Sequence, residues 1–392
     1  MNVKLLSKYW KNHELTYILF MLLSTRIMLS VIGVMSRKVF MLLGVTWYES
    51  IGISQSYWTG NIWLDIWGVW DAGWYMTISQ NGYTAGPFEQ LILEQTNIAF
   101  FPLYPLLMRF FGYILGNHYI AGLIISNICL FISCIYLYKL VKLDFDKYTA
   151  SKSVKYLLFF PTSFILSGVF SESLYLALTV ICFYYARTGK WQTVGIIGFF
   201  LALTRSTGVL VVLPLLYEGI VPLLNENKNL RSIKFSRKEI SPLFYLLLIP
   251  LGLIFFMIFN YYLTGDFMAF AHAQLAWDRH LTNPLYVLIT GYKSSVYTAF
   301  EAIFTLLFSF IILLSYRKIR FSYWLFCMYS IFIPLSTGIM SMPRFISVIF
   351  PIYILFAGIT KNRLLEDLIT MSFVLLQGSL MVFWANNICL VV

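Results

Sequence analysis

Long apolar runs separated by short polar stretches fill this chain. The first run, residues 17–34, follows a polar, basic N-terminus with Lys4, Lys8 and Lys11, and it lacks a small-residue cleavage site, so it reads as a retained span. Residues 35–99 differ: they are rich in Trp, Gly and Asn, and hold no run near the roughly 20 apolar residues that a spanning helix needs. The next stretch, 100–116, is apolar but carries Pro102, Pro105 and Arg109. It reads as a helix at or in the outer interface, with a span as the other possibility. Ten further apolar runs follow, at 119–138, 156–168, 174–185, 193–204, 209–224, 243–263, 295–316, 321–338, 345–360 and 368–385. Inside lipid every backbone polar group must be satisfied within its own segment, and nothing here alternates as a barrel strand does, so the spans are predicted to be helices. The expected fold class is an all-α polytopic membrane protein of about eleven transmembrane helices. It forms one domain over 1–392, with a first outer loop at 35–118 carrying juxtamembrane helices and a second sizeable outer loop at 264–293.

Composition agrees with the pattern. Hydrophobic residues make up 59% of the chain and charged residues only 11%, against about 25% in soluble domains. The formal charge of +11 raises nucleic acid as a partner. However, Lys and Arg sit in short loops between apolar runs, as cytoplasmic loops of membrane proteins do, and no nucleic-acid partner is expected. The clusters Lys139–Lys155 and Lys228–Lys238 mark inside loops, and so do Arg317, Lys318, Arg320, Lys361 and Arg363. Residues 35–99 hold Glu49, Asp65, Asp71, Glu89 and Glu94 against Arg37 and Lys38, which places that segment outside and the N-terminus in the cytoplasm. Cys129, Cys134, Cys182, Cys327 and Cys389 show no metal or disulfide spacing.

Charges at membrane depth are expensive, so each is a candidate for function. Asp71 lies in Trp70-Asp71-Ala72-Gly73-Trp74-Tyr75. A carboxylate among aromatic faces suits a sugar or polyol: rings stack on Trp74 and Tyr75, and the acid takes a hydroxyl proton as general base. The rival reading is an interfacial aromatic belt with a solvated acid. Glu172 stands alone among apolar residues, either functional or held by neighbouring hydroxyls. Arg205 and Arg344 fall at expected outer turns, where a guanidinium binds a lipid phosphate or snorkels to headgroups. Arg26, inside the first span, is expected to pair with an internal acid. The loop around Gln274, Trp277, Asp278 and Arg279 is polar and aromatic, either plain surface or a cover over substrate. Asp144-Phe145-Asp146 has the form of a metal-binding DxD, but its Lys-rich loop places it on the wrong face.

Four ordered blocks are more specific. Trp70 to Tyr75 with Asn81-Gly82-Tyr83, then Phe101-Pro102-Leu103-Tyr104-Pro105-Leu106, then Phe160-Pro161-Thr162-Ser163 with Ser171-Glu172-Ser173-Leu174, then Thr204-Arg205-Ser206-Thr207-Gly208 together resemble the PIG-V-type mannosyltransferase family. Gln274 to Arg279 and Pro343-Arg344-Phe345 extend the likeness more weakly. The resemblance implies a GT-C glycosyltransferase acting on a polyprenyl-phosphate sugar at the outer face. Its catalytic acid would be Asp71 and its substrate-binding residues Trp70, Trp74, Tyr75, Glu172, Arg205, Gln274, Trp277 and Arg344. A compact, Lys-, Asn- and Ile-rich chain suits a bacterial plasma-membrane member handing mannose or another hexose to a cell-surface glycan or glycolipid. No acid neighbours Asp71 in sequence, which argues against a divalent metal there, and no cofactor is expected beyond the lipid-linked sugar donor. The alternatives are a transporter or flippase of lipid-linked glycans, which would be expected to show paired repeats that this chain lacks, and a structural subunit of an envelope complex.

Overall fold

The structure, a computed structural model, describes residues 3–44, 58–86, 94–226, 237–360 and 362–388. Glu49, Glu89, Lys228, Arg231, Lys234, Lys361 and Cys389 lie outside the described residues. Among those described, every regular element is helical. Among the described residues, five helices are long and apolar enough to cross a membrane: Glu14–Leu42, His118–Val141, Ser241–Thr264, Val296–Leu314 and Arg363–Ala385. Each coincides with an expected span. Four shorter apolar helices, Leu103–Leu115, Trp191–Ala202, Ser206–Val221 and Phe321–Leu335, pack among them.

The first helix runs from Val3 to Leu42, past the expected end at residue 34. No Gly or Pro interrupts 35–42, and Gly44, in the left-handed region at φ 62°, follows the end. Arg37, read from sequence as part of the outer loop, is buried on this helix and donates Nε to the Ala385 carbonyl at 2.7 Å. The proline pair begins a helix: Pro102 occupies the N-cap of Leu103–Leu115, and Gly116 closes it at φ 70°. At 13 residues this helix is about 20 Å long, short of the roughly 30 Å hydrocarbon core.

Between Lys147–Phe159 and Glu172–Arg187 the chain is interrupted for twelve residues, 160–171, all of them buried. Pro161 cannot continue the first helix, since it lacks an N–H and its ring clashes with the preceding turn. The break frees carbonyls that water cannot reach. Arg26 and Gln377 fill them. Arg26 donates to Ser163 O (2.8 Å), Leu158 O (3.2 Å) and the hydroxyls of Ser163 and Ser167. Gln377 donates to Leu158 O (2.8 Å), Phe160 O (3.1 Å) and Ser163 Oγ (2.6 Å). The acid expected opposite Arg26 is absent among the described residues: the cation serves an opened backbone instead. Phe160 seals the break against Phe304, Phe308, Tyr353 and Phe373, with ring centroids 5.2–6.0 Å away.

The acid-bearing segment after residue 57 is docked on this frame. Trp384 Nε1 donates to Ile66 O at 3.1 Å, Tyr119 Oη to Leu64 O at 2.8 Å, and the amide of Val169 to Trp67 O at 3.1 Å. Asp65 is buried and accepts from Thr59 N and Oγ1, so it is a turn anchor. Asn97 ties 82–84 back to the helical frame through Gly82 O and Thr84 N.

If Arg26 holds the interruption, Arg26→Leu should lower the thermal midpoint of the detergent-solubilised protein. The cost of the stranded carbonyls is on the order of 1–3 kcal/mol. An unchanged midpoint would show that the break holds itself.

Candidate functional site

Four chain interruptions converge on one cavity of about 800 Å³. Asp71 precedes the helix Ala72–Asn81 as its N-cap residue, yet makes no capping hydrogen bond, which leaves its carboxylate for the cavity. Glu172 opens the helix Glu172–Arg187 and is 1% exposed. Arg205 precedes the 3₁₀ turn Ser206–Val211. That turn sits so close to the preceding helix that a side chain at Gly208 would meet Leu201 O at 2.3 Å, which explains the glycine in Thr204-Arg205-Ser206-Thr207-Gly208. Arg344 sits in the short helix Met342–Ile346 and is 8% exposed.

These four charges form a chain of ion pairs. Arg344 Nη1 donates to Asp71 Oδ2 at 2.5 Å, and its Nε lies 3.1 Å from Glu172 Oε1 without hydrogen-bond alignment. Arg205 Nη1 donates to the same Glu172 oxygen at 2.9 Å. The second acid that sequence does not place beside Asp71 is therefore supplied in space, across Arg344. Glu172 Oε2 and Trp70 Nε1 are buried without hydrogen-bond partners, an uncommon state for polar atoms in folded proteins.

A third guanidinium, Arg279, also lines the cavity. It faces no carboxylate within ion-pair distance among the described residues and donates Nη2 to Met340 O at 3.2 Å. Enclosure pushes its pKa down to about 10, and the Arg344 charge acts in the same direction while Asp71 opposes it. All three guanidinium carbons stand over the ring of Phe345, at 4.6, 5.5 and 5.4 Å for Arg205, Arg279 and Arg344. That ring's negative face is a further support for three crowded cations. Among the described residues, three lining arginines stand against two lining carboxylates, a balance of one positive charge that suits an anion.

Aromatic side chains line the same cavity. Trp74 stacks on Phe100 at 5.8 Å and meets Trp277 edge-on at 5.8 Å, joining the segment 58–86 to the loop 264–293. Tyr75 bonds Ser171 Oγ through its hydroxyl at 2.9 Å. Of the nine residues that sequence reading assigns to the site, Asp71, Trp70, Trp74, Tyr75, Glu172, Arg205, Gln274, Trp277 and Arg344, all line this cavity.

Backbone strain gathers here too. Four non-glycine residues adopt positive φ among those described: Trp70 (51°), Asp278 (55°), Ser341 (70°) and Asn387 (54°). Trp70, Ser341 and Asn387 line the cavity, and Asp278 sits between the lining residues Trp277 and Arg279. Each such residue costs on the order of 1–3 kcal/mol, and such strain clusters where a site needs it.

The DxD-like pair has other duties. Asp144 accepts two 2.7 Å bonds from Arg187, whose guanidinium holds the carboxyl below its usual range. Asp146 caps Lys147–Phe159 through Thr149 N at 2.8 Å. No cluster of three or more His, Cys, Asp or Glu side chains capable of holding a metal occurs among the described residues. Cys129, Cys134, Cys182 and Cys327 are buried and free. Sequence reading placed Arg279 and Phe345 in weakly matching blocks without assigning either to the site, and passed over Glu301 and Ser341. Glu301 was visible as a lone acid within the apolar run 295–316, the same signal that singled out Glu172.

Compared with known proteins, the chain matches no family model and no curated protein.

Removing Arg344 would strand two carboxylates. Arg344→Met should destabilise the protein by about 3–5 kcal/mol, as breaking a buried pair does, and Asp71→Asn in the same chain should recover part of the loss. A midpoint unaffected by Arg344→Met would show that the pairs carry no stability.

Proposed function

We propose that this protein is a membrane-embedded inverting glycosyltransferase that moves a hexose, mannose among the candidates, from a polyprenyl-phosphate carrier to a glycan or glycolipid acceptor. The observation that supports this reading is the convergence, among the described residues, of an acid, an arginine cluster with one surplus charge and several aromatic side chains on one cavity within an apolar helical frame. In this reading the chain is a PIG-V-type, GT-C enzyme of about eleven spans. Its N-terminus is cytoplasmic, and its cavity opens to the outer face of the plasma membrane.

The chemistry follows from the residues. The sugar ring packs against Trp74 and Trp277, with Trp70, Tyr75 and Gln274 around it. An acceptor hydroxyl gives its proton to Asp71 as its oxygen bonds to the anomeric carbon. The bond from that carbon to the phosphate oxygen breaks, and its electron pair leaves with the lipid phosphate, which gains negative charge. Fixed cations stabilise that charge more in the transition state than before it, which is what accelerates a reaction. Arg279 meets the phosphate without giving up a carboxylate, whereas Arg205 must share with Glu172.

Three measurements test this reading. Asp71→Asn keeps the shape and removes the base, so transfer should fall about 10²-fold or more with normal membrane insertion. Retained transfer would remove Asp71 from the chemistry. Arg205→Lys keeps a charge that can snorkel but loses the planar fork that matches phosphate oxygens, so it should insert normally, transfer poorly and bind a polyprenyl phosphate more weakly. Wild-type transfer by that variant would return Arg205 to headgroup contact. For sidedness, a cysteine replacing exposed His280 should react with an impermeant thiol reagent added outside, and one replacing Ser151 should not. The reverse labelling would invert the topology.

A further inference from the structure

We propose that Glu301 is a positioning residue that fixes Arg344, and through it Asp71 and Glu172, by clamping a single peptide group. Glu301 projects from the apolar helix Val296–Leu314 and is 6% exposed. A lone acid in such a helix is costly and calls for a task. It meets no cation within ion-pair distance among the described residues, and it does not line the cavity. What it does hold is the backbone N–H of Ser341, accepted by Oε1 at 2.9 Å.

The same peptide unit is held from its other pole. Its carbonyl, Met340 O, accepts from Arg279 Nη2 at 3.2 Å. One peptide plane is thus gripped by a carboxylate from a spanning helix and by a guanidinium from the outer loop. It leads directly into Ser341, which sits at φ 70°, a left-handed conformation that serine rarely adopts unaided. Ser341 is the N-cap of the five-residue helix Met342–Ile346, and its side chain makes no capping bond. Local backbone bonds close the turn, Met342 N to Ile339 O at 3.3 Å and Phe345 N to Ser341 O at 3.0 Å, but no local side chain holds the Met340–Ser341 peptide group itself; the clamp does. Arg344 stands three residues on, with Asp71 on one nitrogen and Glu172 beside another. A rotation of the Met340–Ser341 peptide would swing the start of that helix and move the guanidinium away from both acids. Because Arg279 lines the cavity beside Trp277, the clamp also ties the loop 264–293 to the placement of Arg344.

The inference rests on the glycosyltransferase reading for its kinetic test and on geometry alone for its structural one. Glu301→Gln keeps an acceptor oxygen and the shape, whereas Glu301→Ala removes both. With the purified full chain, Glu301→Ala should lower kcat on the order of 10²-fold, the effect of a misplacement near 1 Å, while KM for the polyprenyl-phosphate sugar changes little. Glu301→Gln should restore most of kcat. A Glu301→Gln enzyme as slow as Glu301→Ala would overturn the clamp. So would a loss confined to KM. In parallel, thermal midpoints of Glu301→Ala, Arg344→Lys and the double variant should combine to less than the sum of the single shifts, because both changes act on one network. Additive shifts would overturn the link to Arg344. If the wild-type chain transfers no sugar, the glycosyltransferase reading falls, while non-additive midpoints still establish that Glu301 places Arg344.

Discussion

Arg344 between Asp71 and Glu172 is the interaction on which the site depends. The two acids arrive from segments about a hundred residues apart in sequence; Glu172 is buried and Asp71 half-buried at the cavity. Carboxylates enclosed in that way repel each other and lose solvation, and each alone would be neutralised or expelled. A guanidinium offers donors on several sides of one plane, so a single residue can face both acids where an ammonium could not hold the same geometry. Arg205 completes the balance on Glu172. Among the described residues, Arg279 then stands as a lining cation without a carboxylate, and the surplus charge counted there follows from it.

The same need for partners shapes the frame. Where the chain is broken at Phe160-Pro161, Arg26 and Gln377 from two distant helices supply the donors that the lost helical turn withheld. Where it turns at Met340–Ser341, Arg279 supplies a donor to the carbonyl and Glu301 an acceptor to the amide. Interrupted helices inside an apolar protein survive because side chains far away in sequence satisfy the opened backbone. Those interruptions are also what place charged side chains at the cavity, since an unbroken helix would carry Glu172 and Arg344 past it.

Much of this was legible in the chain and some was not. Apolar length located the five long helices, because a run of about 20 apolar residues has few other uses. Charges and aromatics in an otherwise apolar sequence marked eight of the cavity's lining residues, because such residues are costly there, and Gln274 came with the polar loop around Trp277. Pairing was not legible. Arg26 looked like half of an ion pair, yet its partners are carbonyls, which every residue carries and no sequence pattern distinguishes. Residues 35–42 read with the polar, acid-bearing segment that follows them, but they continue the first helix, where the Ala385 carbonyl partners Arg37. Glu301 was visible as a lone acid, yet its task depends on a backbone turn forty residues away.

The central claim is that the cavity transfers sugar from a lipid phosphate and does not merely move a lipid-linked sugar across the membrane. The most direct test reconstitutes the purified chain in sealed vesicles with a polyprenyl-phosphate hexose labelled in the sugar and a panel of glycan and glycolipid acceptors, and follows the lipid phosphate and the anomeric configuration. Release of free polyprenyl phosphate together with a new glycosidic bond of inverted configuration is the predicted result. Movement of intact labelled lipid between leaflets, with no polyprenyl phosphate released, would contradict it.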